Sequence, residues 1–339
     1  DSGKILKTFD GGNLWKKLAN DTIYNLYSVC FTDANTGYAV GGNTNNNIST
    51  ILKTVNGGLN WITQTSGTIN ELYSVDFIDS ITGYAVGKAG TILKTINAGL
   101  NWTLQKSGTT NNLNSVHFTC SDTGFVGGNK TKLKTTDGGN TWVSLPTGSY
   151  DELKSVDFLT DSIGYAVSFK CTNCPTGSDY FGIINKTLDG GTSWTSLTLT
   201  VNFPLNSVFF TDLSNGCIVG DGGKIFITND GGSVWTLKSS DDTLVFLNSI
   251  CYPYSDIGYT AGSFLGYKIL KTTDGGNSWN LLKSGLNKNL YSLCFTSQNT
   301  GYLTGSDNGL ANSSNFILKT TNGGNNWAEH RFLANTGIG

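Results

Sequence analysis

Short apolar runs of strand length, each closed off by Gly, Asn, Asp, Ser or Thr, fill this chain from end to end. Four kinds of run recur in a fixed order. The first is Ser-Val-x-Phe in its commonest form: YSVCF at Tyr27–Phe31, YSVDF at Tyr73–Phe77, NSVHF at Asn114–Phe118 and KSVDF at Lys154–Phe158, with later copies ending at Phe210, Tyr252 and Phe295. The second is built on Gly-Tyr-Ala-Val-Gly and starts at Gly37, Gly83, Gly124, Gly164, Gly216, Gly258 and Gly301. The third is Ile-Leu-Lys-Thr. The fourth follows an Asp-Gly-Gly turn and carries a tryptophan. Runs of β-branched and aromatic residues bounded by turn formers predict strands. Nowhere do apolar residues hold helical spacing for long enough to predict a helix.

The eight tryptophans mark the period. Trp15, Trp61, Trp102, Trp142, Trp194, Trp235, Trp279 and Trp327 follow one another at intervals of 40 to 52 residues. A four-stranded meander (strands A, B, C and D) returning at that interval predicts an all-β propeller of four-stranded antiparallel blades. No Pro-rich or charged linker interrupts it, so residues 1–339 read as a single domain. Residues 1–16 hold only a C–D half-repeat, and complete repeats end near each later tryptophan. Seven blades is the preferred reading. Eight is the alternative, with the missing A and B strands lying outside this sequence.

The C–D turn has the form Thr-x-Asp/Asn-x-Gly-x-x-Trp. Its acidic or amide position is Asp10, Asn56, Asn97, Asp137, Asp189, Asp230, Asp274 and Asn322. Such side chains accept backbone N–H bonds across a turn, and glycine supplies the positive φ that a tight turn needs. Three of the eight are Asn, so the position reads as a turn-maker; a catalytic carboxylate would not be so exchangeable. The tryptophan gives each sheet interface a large apolar body with a polar edge.

These motifs resemble the Asp-box, or BNR, repeat of sialidase-like propellers. The longer phrase S-V-x-F, G-Y-A-V-G, I-L-K-T-x-D-G-G-x-x-W is most similar to the photosystem II assembly-factor (Ycf48-like) repeat family and related secreted bacterial surface proteins. The resemblance covers almost the whole chain. It implies a seven-bladed propeller and a scaffolding, binding or hydrolytic role, without choosing among them. A sialidase would carry three substrate-clamping arginines, whereas Arg331 is the only arginine present. The arginine-rich docking surface of the photosystem factor is not reproduced either.

Charge narrows the choice further. Lys and Arg number 22 against 24 Asp and Glu, so no basic surface is available for nucleic acid. A surface of Asn, Thr, Ser and Gly fits an extracellular, cell-surface or periplasmic protein, and no apolar stretch is long enough for a membrane span. The expected partner is a protein or glycan ligand, alongside other domains of a larger exported protein.

Departures from the repeat carry the site candidates. All the B–C insertions emerge on one end of the blades, a possible binding face. Its loop candidates are Asn45, Tyr180, Phe181, Phe264, Leu265, Tyr267, Asn308 and Leu310. The longest insertion holds Cys171 and Cys174, which read as a small disulfide, with free thiols or metal and redox chemistry as lesser readings. The other five cysteines read as free thiols, and Cys251 and Cys294 as too far apart to bridge. No cofactor is expected; Ca²⁺ held by Asp221, Asp241 and Asp242 is an unspecific option. The alternative function is a polysaccharide hydrolase with Asp76 and Asp157 as its carboxylate pair and His117 beside them.

Overall fold

The computed structural model describes residues 4–18, 24–128, 131–145, 152–160, 162–171, 180–198, 203–238, 245–307 and 315–332. They form seven four-stranded antiparallel sheets and one two-stranded sheet, the blades of an all-β propeller fold. The two-stranded sheet pairs β1 (Ile5–Thr8) with β2 (Trp15–Leu18). In each complete blade the strands lie in chain order A-B-C-D. The A strands are Asn25–Phe31, Leu72–Phe77, Leu113–Phe118, Glu152–Phe158, Leu205–Phe210, Leu247–Cys251 and Lys288–Phe295, in blades one to seven.

The chain divides into two compact units. One holds Asp1–Ser149 and Asp189–Ser193, the other Tyr150–Leu188 and Trp194–Gly339. The first therefore contains the β1–β2 hairpin and blades one to three, together with the C–D turn of blade four. The second contains the strands of blades four to seven.

An aromatic chain repeats within each unit. In each complete blade the box tryptophan meets the last aromatic of strand A edge to face, as in Trp102 on Phe77 and Trp142 on Phe118, both 6.0 Å between centroids. That aromatic in turn stacks on the strand B tyrosine of the preceding blade: Tyr38 on Phe77, Tyr84 on Phe118, Tyr165 on Phe210 and Tyr259 on Phe295, at 3.6–3.9 Å. The tyrosine hydroxyl then donates to a box carbonyl of the following blade. Tyr84 Oη reaches Gly138 O at 2.5 Å, and Lys94 Nζ of Ile-Leu-Lys-Thr reaches the same oxygen at 2.5 Å. Offset stacks and edge-to-face pairs add to the area that these rings bury, and both polar tips are satisfied. The sheets are therefore joined by stacking and by hydrogen bonds to turns.

The box closes on its threonine. Thr272 Oγ1 donates to Asp274 Oδ1 at 2.8 Å and accepts from Gly276 N at 2.8 Å, while Ser278 N donates to Asp274 Oδ1 at 2.9 Å. Asn56 Oδ1 and Asn97 Oδ1 accept the equivalent backbone N–H at 3.0 Å in their own turns. The side-chain hydroxyls of Thr141 and Ser278, followed by backbone N–H groups, lower the Asp137 and Asp274 carboxyls to about 2. One turn departs from the rest. Ala98 holds φ 55° where the other boxes place glycine. The left-handed region crowds a Cβ against the following carbonyl. Ala98→Gly is therefore expected to stabilise the first unit by about 1 kcal/mol in urea unfolding.

Candidate binding site at the B–C end of the blades

Every A strand breaks register with its B strand at one place. The shifts fall between Leu26 and Ser28, Leu72 and Ser74, Leu113 and Ser115, Leu153 and Ser155, Leu205 and Ser207, Leu247 and Ser249, and Leu290 and Ser292. The residue passed over is Tyr27, Tyr73 or Asn114 in the first unit and Lys154, Asn206, Asn248 or Tyr291 in the second. A bulge takes its residue out of the ladder and re-aims the side chain, and bulges concentrate beside functional sites.

In six blades a close backbone approach accompanies the bulge across the strand pair. A Cβ on Gly41, Gly87, Gly128, Gly220, Gly262 or Gly305 would stand 1.8–2.3 Å from a carbonyl oxygen just before or at the start of strand A. Strand A can bow onto strand B there because strand B has no side chain. In six blades the last glycine of Gly-Tyr-Ala-Val-Gly makes room for this close approach; the register shift itself does not require it, since blade four makes the same shift. Blade four carries Ser168 at this place, buried and accepting a hydrogen bond from Asn185 Nδ2 at 3.4 Å.

The bulged side chains gather polar partners at the end of the blade where strand B turns into strand C. In the first unit, Tyr27 Oη and Tyr73 Oη both donate to the buried Glu71 carboxylate at 3.3 Å, with the two rings edge to face at 5.6 Å. Burial, then the Glu71 charge, pushes the Tyr73 hydroxyl up. In the second unit, Asn206 Nδ2 donates to Asp221 Oδ1 at 2.7 Å and to Leu247 O at 3.0 Å. Burial raises the Asp221 carboxyl above the usual range. Asn248 Nδ2 donates to Leu290 O at 2.7 Å, and Tyr291 Oη lies 2.6 Å from Ser306 Oγ. Asn114, Lys154 and Tyr291 are exposed, as is Tyr27. The arrangement offers hydroxyls, amides and an ammonium on stiff strands. That chemistry suits recognition of peptide groups.

Asp76 and His117 are brought together, with Nδ1 and Oδ2 3.5 Å apart. Asp76 also has a structural task. Its Oδ1 accepts from Phe77 N at 3.0 Å and its Oδ2 from Phe118 N of the next blade at 2.9 Å. Asp157, in the second unit, likewise accepts from Phe210 N at 2.8 Å. The neighbouring serines do the same: Ser28, Ser74, Ser155 and Ser249 Oγ accept from Val75, Val116, Val208 and Leu293 N at 3.2–3.3 Å. Strand A thus hands two side-chain acceptors to the strand A that follows it. Cys30 and Cys251 hold the x position of Ser-Val-x-Phe in their blades, with the backbone N–H groups of Phe77 and Phe295 as partners. Cys251 and Cys294 stand in hydrogen-bond contact as free thiols.

Phe264 and Leu265 are exposed, with Phe264 stacked on Phe246 at 4.2 Å. Tyr267, grouped with them as a loop candidate for the binding face, is instead a buried strand residue. It opens strand C of blade six opposite Gly285, and its ring is buried over that glycine. Phe181 is half-buried in strand C of blade four. Asn45 is exposed in the short turn Thr44–Asn46, its N–H donating to Asn43 Oδ1 at 2.9 Å. Cys174, Asn308, Leu310, Asp241 and Asp242, and the side chains of Cys171 and Tyr180, lie outside the described residues. Among the described residues, no group of three or more His, Cys, Asp or Glu is placed to hold a metal ion.

The bulged positions had no place among the sequence candidates. A signal was present in the residue before each Ser-Val, which changes from Tyr to Asn to Lys while its neighbours stay constant.

Comparison with known proteins matches the model of the family described as photosynthesis system II assembly factor YCF48, over residues 8–106, 54–149 and 187–285. No curated protein sequence matches the chain. Among solved structures, one described as YCF48 bound to D1 peptide is 20% identical, with a TM-score of 0.62, covering 93% of this chain and 97% of that one. YCF48 from Cyanidioschyzon merolae is 16% identical, with a TM-score of 0.61 and coverages of 91% and 98%. The GH74 enzyme of Niastella koreensis is 17% identical, with a TM-score of 0.50 and coverages of 90% and 71%. At these identities the structural likeness is one of fold.

Proposed function

The chain belongs to the family of photosynthesis system II assembly factor YCF48, and from that premise we propose a non-catalytic binding propeller that takes an extended polypeptide against the bulged residues of strand A. One observation carries the reading. The Leu before and the Ser after the bulged residue are the same in all seven blades, while the bulged residue itself varies among Tyr, Asn and Lys. Constant scaffold with variable, low-entropy amphipathic contacts is the composition of a recognition surface. Tyr and Asn there supply both donors and acceptors for peptide groups. A related solved structure carries a peptide, which supports a polypeptide over a glycan. The uses of Asp76 and Asp157 as main-chain acceptors argue against the hydrolase alternative. The polar, weakly charged composition supports a place in a larger exported protein at the cell surface or in the periplasm. No helix of the described residues is long and apolar enough to cross a membrane.

The test is selection of random phage-displayed peptides on the purified chain. Peptides selected on the native chain are expected to bind at least about tenfold more weakly to Tyr73→Ser or Tyr291→Ser. Selected peptides indifferent to both substitutions would overturn the reading. Retention of sugars on a glycan array, lost with the same substitutions, would replace the polypeptide with a glycan.

A further inference from the structure

We propose that a pocket between blades five and six, both in the second unit, binds a small arylalkylammonium ion at the end that carries the A–B and C–D turns. Elsewhere a strand B tyrosine and a strand C lysine donate together to one box carbonyl of the following blade. Tyr38 and Lys53 share Ala98 O, and Tyr84 and Lys94 share Gly138 O. Tyr165 and Lys186 share Gly231 O, and Tyr259 and Lys271 share Gly323 O. In each pair the ammonium stands 5.3–5.6 Å from the centre of the tyrosine ring.

Blade five lacks both donors. Cys217 stands in place of the tyrosine in its strand B, GCIVG, and Ile227 in place of the lysine in its strand C, IFIT. The carbonyl they would serve, Gly275 O in the box of blade six, takes no donor among the described residues. Gly275 is half-buried, whereas Gly138, Gly231 and Gly323 are buried. Where the other interfaces stack a tyrosine on the strand A aromatic at 3.6–3.9 Å, Tyr252 has Phe209 at 5.8 Å. The space left is a pocket of about 280 Å³. Tyr252 lines it at 8% exposure. Its hydroxyl faces the Cys217 thiol and has no nitrogen or oxygen partner among the described residues. Native structures seldom leave buried polar groups in that state without an occupant to pair them.

The occupant's chemistry follows from the interfaces that are filled. An aromatic ring replaces the missing tyrosine against Phe209 and Tyr252, and an ammonium replaces the missing lysine on Gly275 O. A two-carbon tether between ring and ammonium covers the separation that tyrosine and lysine keep elsewhere. The rim favours a cation, because Asp256 and Asp274 line the pocket and no Lys, Arg or His does. Carboxylates gathered at a cleft raise the local concentration of cations, and an ammonium gives the carbonyl a charge-assisted hydrogen bond.

The probe is tyramine, titrated into the purified chain by calorimetry, with p-cresol as the ring without the charge and ethylammonium as the charge without the ring. Saturable tyramine binding is expected, with slowed hydrogen exchange confined to residues 209–217 and 274–277. Both fragments are expected to bind at least about tenfold more weakly. Ile227→Lys places the chain's own ammonium on Gly275 O, and Cys217→Tyr restores the ring, so each is expected to abolish tyramine binding. Near-UV circular dichroism checks that these two buried-site variants fold. Asp256→Asn changes an exposed side chain and is expected to weaken binding about threefold, more so at low salt. Absence of saturable binding, leaving the pocket to water, would overturn the proposal. So would fragments that bind as well as tyramine, or tyramine binding unchanged in Asp256→Asn and in folded Ile227→Lys.

Discussion

Tyr84→Ala is expected to destabilise the first unit by about 3–5 kcal/mol. The side chain is fully buried, stacked on Phe118 at 3.9 Å, and its hydroxyl closes the box turn of blade three. Truncation leaves a cavity between two sheets and leaves the Gly138 carbonyl to Lys94 alone. Tyr84→Phe keeps the stack and removes only the hydrogen bond, so a loss of about 1 kcal/mol is expected. Urea unfolding measures both. Hydrogen exchange should place the loss in blades two and three, because repeats interact chiefly with their nearest neighbours. Equal effects of the two substitutions would mean that the stack contributes nothing.

The same tyrosines predict an alkaline transition. Burial, followed by nearby carboxylates for Tyr84, pushes its hydroxyl up to about 12, and burial does the same at Tyr38 and Tyr259. A folded-state value raised above the unfolded 10 means that the stabilisation is fully present below pH 10. It is lost as pH rises towards about 12. Unfolding followed by circular dichroism should therefore begin in that window. Tyr84→Phe should flatten the pH dependence there, since a phenyl ring has no proton to lose.

Gly87→Ala should cost about 3 kcal/mol. The conformation is not the obstacle: Gly87 has φ −170°, extended backbone open to any residue. The obstacle is space. A Cβ would sit 1.9 Å from Glu71 O and 2.8 Å from Leu72 Cα, both main chain, so strand A has to move. Moving it displaces Glu71 and the bulged Tyr73, which are joined by a hydrogen bond. Peptides selected on the native chain should therefore lose affinity for Gly87→Ala even when it is folded. Gly67, in the connection leading into the same blade, offers a control, with φ 72° but only Trp102 O near a Cβ, at 3.8 Å. Its cost on substitution with Ala is conformational, about 1 kcal/mol, and should leave the bulge alone. Retained peptide affinity in Gly87→Ala would separate the bulge from binding.

The sequence could show the strands because each run alternates with turn formers at a fixed interval, and the period is visible without any contact being known. It showed the tryptophans as interface residues for the same reason. The roles of Asp76 and Asp157 were open in the sequence. A carboxylate in an inner strand reads the same whether it faces a substrate or a main-chain N–H, and only Phe118 N and Phe210 N at 2.8–2.9 Å distinguish them. Tyr267 was misread because an aromatic beside a glycine-containing loop gives no sign of the register that lays it over Gly285.

By itself, then, the sequence determined the four-stranded repeat and the turn chemistry of Thr272, Asp274 and their counterparts. These are local, set by residues within a few positions of one another. Tertiary structure decided which residues leave the ladder and which apolar side chains are buried. Beside the bulge at Tyr73 the two backbones meet closely, and Gly87, 14 residues later, leaves the room for it. Phe31 is half-exposed, whereas Phe118 and Phe210, at the same place in their blades, are buried by a tyrosine from a distant strand. Both are properties of pairing between distant segments, which a pattern along the chain does not encode.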